Sequence, residues 1–321
     1  MRHSGMRIAI YSPNIDGGGL WSFTITLASA LVDRGYEVDL VAGRVDASQL
    51  PLKPREFDIY PLTKSSSGWG VVSALRAYPR DTLWLARASL ERAGANRQIR
   101  AVAGLARYLR HRKPDMLIAN LWQCGVAAVR ARALANTATR IVTVAHLDSL
   151  DSLGPNATPG GSKHSVTACM IGRIHERAEA RVAVSAALAR SFEKAVDLPA
   201  NSVQTIYNPV VDSALLESAR CPVEHPWFND ADIPVVVAVG RLVPQKGFDI
   251  LIDALARVRQ RRVVRLAILG DGPERCRLQA RASQLGVADD IAFVGWVDQP
   301  AAFMARSAML VSASRFEGLQ H

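Results

Sequence analysis

The clearest chemical signal in the chain is a pair of cations beside a glycine. In VVAVGRLVPQKGFDILIDAL an apolar run over 235–239 ends at Gly240, and Arg241 and Lys246 then flank a short loop before a helical pattern resumes. A guanidinium offers a planar fork of donors, an ammonium a point charge, and a helix N-terminus unpaired N–H groups. Together they suit a diphosphate without help from a metal, and ligands of α/β sheets bind where strands end. Solvated cations on a surface loop are the plain alternative.

A second candidate lies near the start, where an apolar run leads into SPNIDGGGLWS and Gly17, Gly18 and Gly19 open a helical pattern. Small residues there let backbone N–H groups approach an anion closely. The run is not GxGxxG and lacks the acidic residue that would hold a dinucleotide ribose, so a plain strand-to-helix turn explains it equally well. His146 follows the apolar run IVTVA; a lone histidine at a strand end is more often structural than functional. Gly270-Asp271-Gly272-Pro273 reads first as a tight turn, and Asn208 before Pro209 either caps a domain or touches a ligand. The pair Asp230 and Asp232 spells DxD but falls outside any strand end, and is discounted as a metal site. Cys124, Cys169, Cys221 and Cys276 form no CxxC, which argues against structural zinc and a disulfide framework.

The elements that must position these residues follow from hydrophobic periodicity. Apolar runs near 6–11, 36–42, 57–61, 115–119, 141–145, 181–184 and 203–207 alternate with helical patterns such as Leu20 to Arg34 and Ile99 to Arg112. That alternation predicts a Rossmann-like parallel α/β domain over 1–207. The proline-rich segment 208–233 loses periodicity and predicts a linker. A second α/β series over 234–321 has strands at 235–239, 264–269, 291–294 and 308–312, with helices at 248–260, 274–285 and 299–306. It stops after its fourth strand, so an incomplete second sheet with uncovered apolar surface is expected.

The 321 residues are 49% hydrophobic and 21% charged, which excludes disordered, collagenous and coiled-coil classes. No apolar run suits a membrane-spanning helix or a secretory leader, so a cytoplasmic location is expected. The net charge of +10 concentrates in Arg76–Lys113, which carries ten basic residues against Asp81 and Glu91. With Trp69, Tyr78 and Trp84 alongside, this segment suits an anionic membrane surface or a nucleic-acid phosphate chain, the former placing the protein peripherally at the inner face; a solvated helical face is the alternative. Zinc spacing, an aromatic RNA-binding strand and a helix-turn-helix pattern are missing, which argues against nucleic acid.

The ordered motifs GRLVPQKGFDILIDAL, AILGDGPERCRLQ, FVGWV and SASRFEGL resemble those of the family 4 glycosyltransferases of the GT-B fold. The first half is similar too, through KPDMLIAN, IVTVAHLDS, RVAVSAALARSF and VQTIYNPVVD. The resemblance implies two Rossmann-like domains facing a cleft and retaining transfer of a sugar from a nucleotide diphosphate sugar, a UDP-sugar favoured. The implied acceptor is a polysaccharide, glycolipid or lipid-linked oligosaccharide, with no metal or other cofactor. By the same resemblance Arg241 and Lys246 stabilise the leaving diphosphate, Glu317 contacts donor-sugar hydroxyls, and His146 faces that sugar from the first domain. Gly17, Gly18 and Gly19 would lie beneath the diphosphate, with Gly240, Gly270, Gly272 and Asn208 near the donor. Gly295, Trp296 and Val297 would meet the base. The family's second glutamate, after seven intervening residues, falls beyond His321. This leaves a truncated, inactive remnant with weak ligand binding as the competing reading.

Overall fold

Apolar runs bounded by turn residues become parallel strands, and helices on both faces bury the central ones. The structure, a computed structural model, describes residues 5–13, 19–43, 57–62, 101–146, 166–209, 211, 213–229, 232–315 and 317. Gly17 and Gly18 lie outside these residues, as does most of the Arg76–Lys113 segment. The chain divides into one unit running to Pro209 and a second spanning Val210–Glu317.

The first unit holds β1 (Arg7–Ser12), β2 (Glu37–Ala42), β3 (Phe57–Pro61), β4 (Met116–Asn120), β5 (Arg140–Ala145), β6 (Ala180–Ala183) and β7 (Gln204–Thr205). Their order is β3-β2-β1-β4-β5-β6-β7 and every pairing is parallel. Ile8 faces Val38 on one side and Met116 on the other, so the order reverses between β1 and β4. On one face α1 (Gly19–Val32) packs Ala28 against Ile10, Val38 and Leu40. On the other, α2 (Val102–Arg112), α3 (Trp122–Ala135), α4 (Val166–His175) and α5 (Ala186–Ala195) bury Leu105, Leu109, Val126, Ile174 and Leu188.

Helix ends follow local chemistry. In α2, Lys113 adopts the left-handed conformation (φ 46°) and returns its N–H to Leu109 O, and Pro114 prevents continuation. The Ser185 side chain accepts from Leu188 N at 3.2 Å and starts α5. Of the basic segment, α2 turns its apolar face into the core and leaves Arg107 and Arg110 exposed. Arg112 is held internally by buried Asp39 (3.0 Å) and by Asp58 (2.9 Å), and stacks over Tyr60. Tyr108 donates to the same Asp39 carboxylate at 2.6 Å, and burial pushes its hydroxyl far above the usual range.

The second unit holds β8 (Val235–Val239), β9 (Arg265–Leu269), β10 (Ile291–Gly295) and β11 (Met309–Leu310) in the order β10-β9-β8-β11, again all parallel. The order reverses between β8 and β11. Helices α7 (Phe248–Arg259) and α8 (Arg275–Gln284) cover one face through Leu251, Leu255 and Leu278. The other face, built from Val235, Val237, Ala267 and Leu269, is covered by α9 (Pro300–Arg306) together with Trp227 and Phe228.

Here the structure departs from the expected linker over 208–233. That segment forms α6 (Ser213–Ser218), which packs on α9, and a 3-10 turn at Pro226–Phe228 that supplies two aromatic rings to the second core. Two adjacent aromatics without a repeat leave no periodic trace, which is why composition alone reads the segment as connecting chain. At the β11 edge, Met309 (58%) and Leu310 (50%) are exposed.

Candidate active site

In the second unit, backbone bonding continues past the strand ends. Gly240 N donates to Leu269 O (2.9 Å) and Gly270 N to Gly295 O (2.7 Å), so these three glycines lie side by side along the carboxyl edge of β8, β9 and β10. Gly270 has φ +131°, and a Cβ there would lie 2.1 Å from Gly240 O, so only glycine fits without displacing the loop. The loop after β8 is tied to the one after β9 by Leu242 N to Asp271 O (3.0 Å) and Glu274 N to Leu242 O (3.1 Å). Gly272 lies closely under Leu242.

This packing aims the cations. A 3-10 turn at Pro244–Lys246 brings the Lys246 stem back over Gly240, whose added methyl would lie 3.5 Å from Cδ and Cε. Nζ then reaches Glu317 Oε1 at 2.5 Å, and both side chains are largely sheltered. Arg241 is exposed and its guanidinium makes no hydrogen bond or ion pair among the described residues. Lys246 and Glu317, expected to serve one ligand, therefore meet in one place, at the loops after β8 and β11 that flank the reversal of strand order. Such reversal points are where α/β sheets open a crevice for ligands.

Trp296 is 72% exposed just past β10, while Val297 packs beneath the sheet with Trp227 and Phe303. Sequence reasoning passed over Arg275, whose guanidinium donates to Phe293 O (2.9 Å) and approaches Asp271 at 3.5 Å, buttressing the β10 end. It also passed over Asp249 and Arg315, which pair in bidentate fashion at 3.0 and 2.7 Å. The only sequence hint for that pair was opposite charge within two motifs 66 residues apart.

The first unit has its own cluster at its reversal point. Asn120, at the end of β4, is fully buried and donates from Nδ2 to Thr24 Oγ1 (3.0 Å), and Thr24 in turn donates to Leu20 O (2.7 Å). The Asn120 Oδ1 then faces His146 Nε2 at 3.4 Å. His146 is 8% exposed and stacks edge-on with Phe23 at 4.7 Å. Gly19 opens α1, whose Leu20 O accepts from Thr24, and Asn208, also buried, follows β7 just before Pro209.

A further histidine was not foreseen. His175 donates from Nε2 to Trp122 O (3.1 Å) and accepts at Nδ1 from Thr143 Oγ1 (3.1 Å), tying α4 to the start of α3 and to β5. Burial pushes its pKa from the usual 6.5 down to about 4. Among the described residues no three His, Cys, Asp or Glu side chains converge as metal ligands would. Asp232 is exposed, and Asp230 lies outside the described residues.

Two parallel α/β units, each with its polar cluster where strand order reverses, define a class of protein that the comparisons make explicit. Sucrose-phosphate synthase from Thermosynechococcus elongatus superposes with a TM-score of 0.71 over 98% of this chain and 77% of its own, at 19% identity. The Anabaena protein Alr3699/HepE, solved with UDP and glucose, gives 0.66 over 96% and 74%, also at 19% identity. The fold is GT-B. A family model described as Glycosyltransferase Family 4 matches residues 17–213, well over half of the chain, and one described as Glycosyl transferases group 1 matches 233–321. The chain belongs to glycosyltransferase family 4. Among curated relatives, the lipopolysaccharide core biosynthesis glycosyltransferase LpsE of Rhizobium meliloti is 44% identical over 89 residues, 28% of this chain. A GDP-mannose-dependent alpha-(1-6)-phosphatidylinositol monomannoside mannosyltransferase of Mycolicibacterium smegmatis is 52% identical over 63 residues, 19% of this chain. The shared stretches span only 25% and 16% of those two relatives.

Proposed function

We propose that this protein is a retaining glycosyltransferase that moves a sugar from a nucleotide diphosphate sugar to a polysaccharide, glycolipid or lipid-linked oligosaccharide. The observation that carries the reading is the pair of cations, Arg241 and Lys246, on the loop at the β8 end, one exposed and one held by Glu317. As the bond from sugar to diphosphate breaks, negative charge grows on the leaving oxygens, and fixed cations stabilise that charge more than the ground state. Arg241 meets the diphosphate through its fork. Lys246 exchanges Glu317 for phosphate, which frees the Glu317 carboxylate to accept hydrogen bonds from the donor sugar's hydroxyls.

In this reading His146 contacts the donor sugar, while Gly17, Gly18 and Gly19 approach the diphosphate. Gly240, Gly270, Gly272 and Asn208 line the donor, and Gly295, Trp296 and Val297 meet the base. No metal is required, because the two cations supply the positive charge. A UDP-sugar is the favoured donor. The Anabaena neighbour solved with UDP supports that choice, and the mycobacterial relative makes GDP-mannose the competitor to test. The lipopolysaccharide relative supports a glycan acceptor. We further propose a cytoplasmic protein held peripherally at an anionic membrane by the Arg76–Lys113 segment. No described helix is long and apolar enough to cross a membrane.

Nucleotide sugars carrying uridine or guanosine diphosphate are screened by thermal shift, since a ligand that binds only the folded state raises the melting temperature. The donor so found is then used in a transfer assay. Each charge-assisted hydrogen bond is worth about 1.5–3 kcal/mol, so Arg241→Ala and Lys246→Ala should each lower kcat/KM roughly 10- to 100-fold. Transfer untouched by the double substitution overturns the reading.

A further inference from the structure

Glu317 reaches Lys246 from a segment with little sheet to hold it. The strand β11 pairs with β8 at Met309 and Leu310, and Ala308 N and Val311 N add one bond each, to Val235 O and Val237 O (both 2.9 Å). Beyond that point Ser312 Oγ and Ser314 Oγ lie 3.3 Å apart, and Arg315 ties the path to the preceding loop. Arg315 donates its backbone N–H to Gln245 O (2.8 Å) and its guanidinium to Pro244 O (2.6 Å), and so grips the turn that carries Lys246. The same guanidinium makes two parallel bonds to Asp249 in the first turn of α7. The Arg315 guanidinium holds the Asp249 carboxyl below the usual carboxylate range. Gly247 closes the arrangement, with φ +64° and so little room that a Cβ would lie 2.0 Å from Ala313 O.

An exposed ion pair alone contributes little to stability, typically about 0–1 kcal/mol. This one differs in geometry, because one planar group bridges a carboxylate and a main-chain carbonyl while its own backbone pins a second carbonyl. Two residues later comes Glu317. The bonds of Arg315 therefore fix the distance between the Lys246 turn and the Glu317 segment.

We infer that Arg315 and Asp249 are positioning residues that set Lys246 and Glu317 in register for the donor diphosphate, an inference that rests on the function proposed above. They act through Lys246 and not on the ligand directly. A lysine at 315 would keep the charge but lose the fork, and so would restore only part of the effect.

The full chain is tested with inorganic pyrophosphate as probe, by titration calorimetry, and with the identified donor for kcat and KM. Arg315→Ala and Asp249→Asn should weaken pyrophosphate binding about 10-fold and raise the donor KM, with Arg315→Lys intermediate. In a Lys246→Ala background Arg315→Ala should cause no further loss, because the group being positioned is gone. A purely structural role would multiply the two losses and lower the melting temperature alike in both backgrounds; that result overturns the inference, as does Arg315→Ala binding like wild type. Should Arg315→Ala not fold, the near-isosteric Asp249→Asn with and without Lys246→Ala gives the same comparison. Pyrophosphate that fails to bind wild type, or binds Lys246→Ala equally well, removes the function on which the inference rests. That outcome is separate from a null result at Arg315 alone.

Discussion

Acid should loosen the first unit through one histidine. With a folded pKa of about 4 against 6.5 when unfolded, His175 is neutral in the native state while the unfolded chain takes up a proton below pH 6.5. Because the unfolded state binds more protons in this window, stability is complete above pH 6.5 and falls as pH drops towards 4. At about 1.4 kcal/mol per pH step, the loss is roughly 2 kcal/mol at pH 5 and about 3 kcal/mol near pH 4. The cause is burial first, with the Arg181 charge acting in the same direction; the bond to Trp122 O opposes both. His175→Gln removes the titration while keeping a donor for that carbonyl. Urea unfolding, followed by hydrogen exchange of α3 amides, should show wild type losing about 2 kcal/mol relative to the variant between pH 7.5 and pH 5. A difference constant to within about 0.5 kcal/mol across those pH values would refute the reasoning. The ring bonds to Thr143 and Trp122, on the elements that end or begin next to His146 and Asn120. On the function proposed above, the same acid step should reduce donor affinity before the unit unfolds.

Gly270→Ala places a methyl 2.1 Å from Gly240 O at a φ of +131° and should cost the second unit about 2–4 kcal/mol, read as a lowered second transition in calorimetry. An unchanged transition would mean that the glycine edge is not the close contact described. Vesicles with anionic lipid should bind the protein in a salt-sensitive way. Charge reversal at exposed Arg107 and Arg110 should weaken that binding at least about 30-fold, at roughly 1 kcal/mol per basic residue, and equal binding to neutral vesicles would refute the electrostatic part.

The strands were legible because each is a short apolar run closed by glycine, proline or a polar cluster, as DMLIAN after Pro114 illustrates. The Lys246 and Glu317 meeting was legible only through motif order, since no periodicity joins residues 71 apart in sequence. What stayed hidden is what the sheets create. Asn120 reads as the polar end of a strand until parallel pairing sets β4 beside β1 and β5, which brings Thr24 and His146 to it. His175 reads as the basic end of a helix until packing surrounds it. Trp227 and Phe228 read as linker because two rings without a repeat carry no phase. The Arg112 charge, counted towards a membrane surface in the sequence, is instead held by Asp39 and Asp58.

The matching strand order of the two sheets has an evolutionary reading. Both gather their polar clusters at the carboxyl edge, on strand ends, on the connections that leave them and, in the first unit, on α1, while most of each hydrogen-bond ladder beneath is built by residues that touch no cluster. Substitutions in those connections can thus change the chemistry presented at either edge without eroding the core beneath. The same scaffold can in this way be kept while the ligands it serves change.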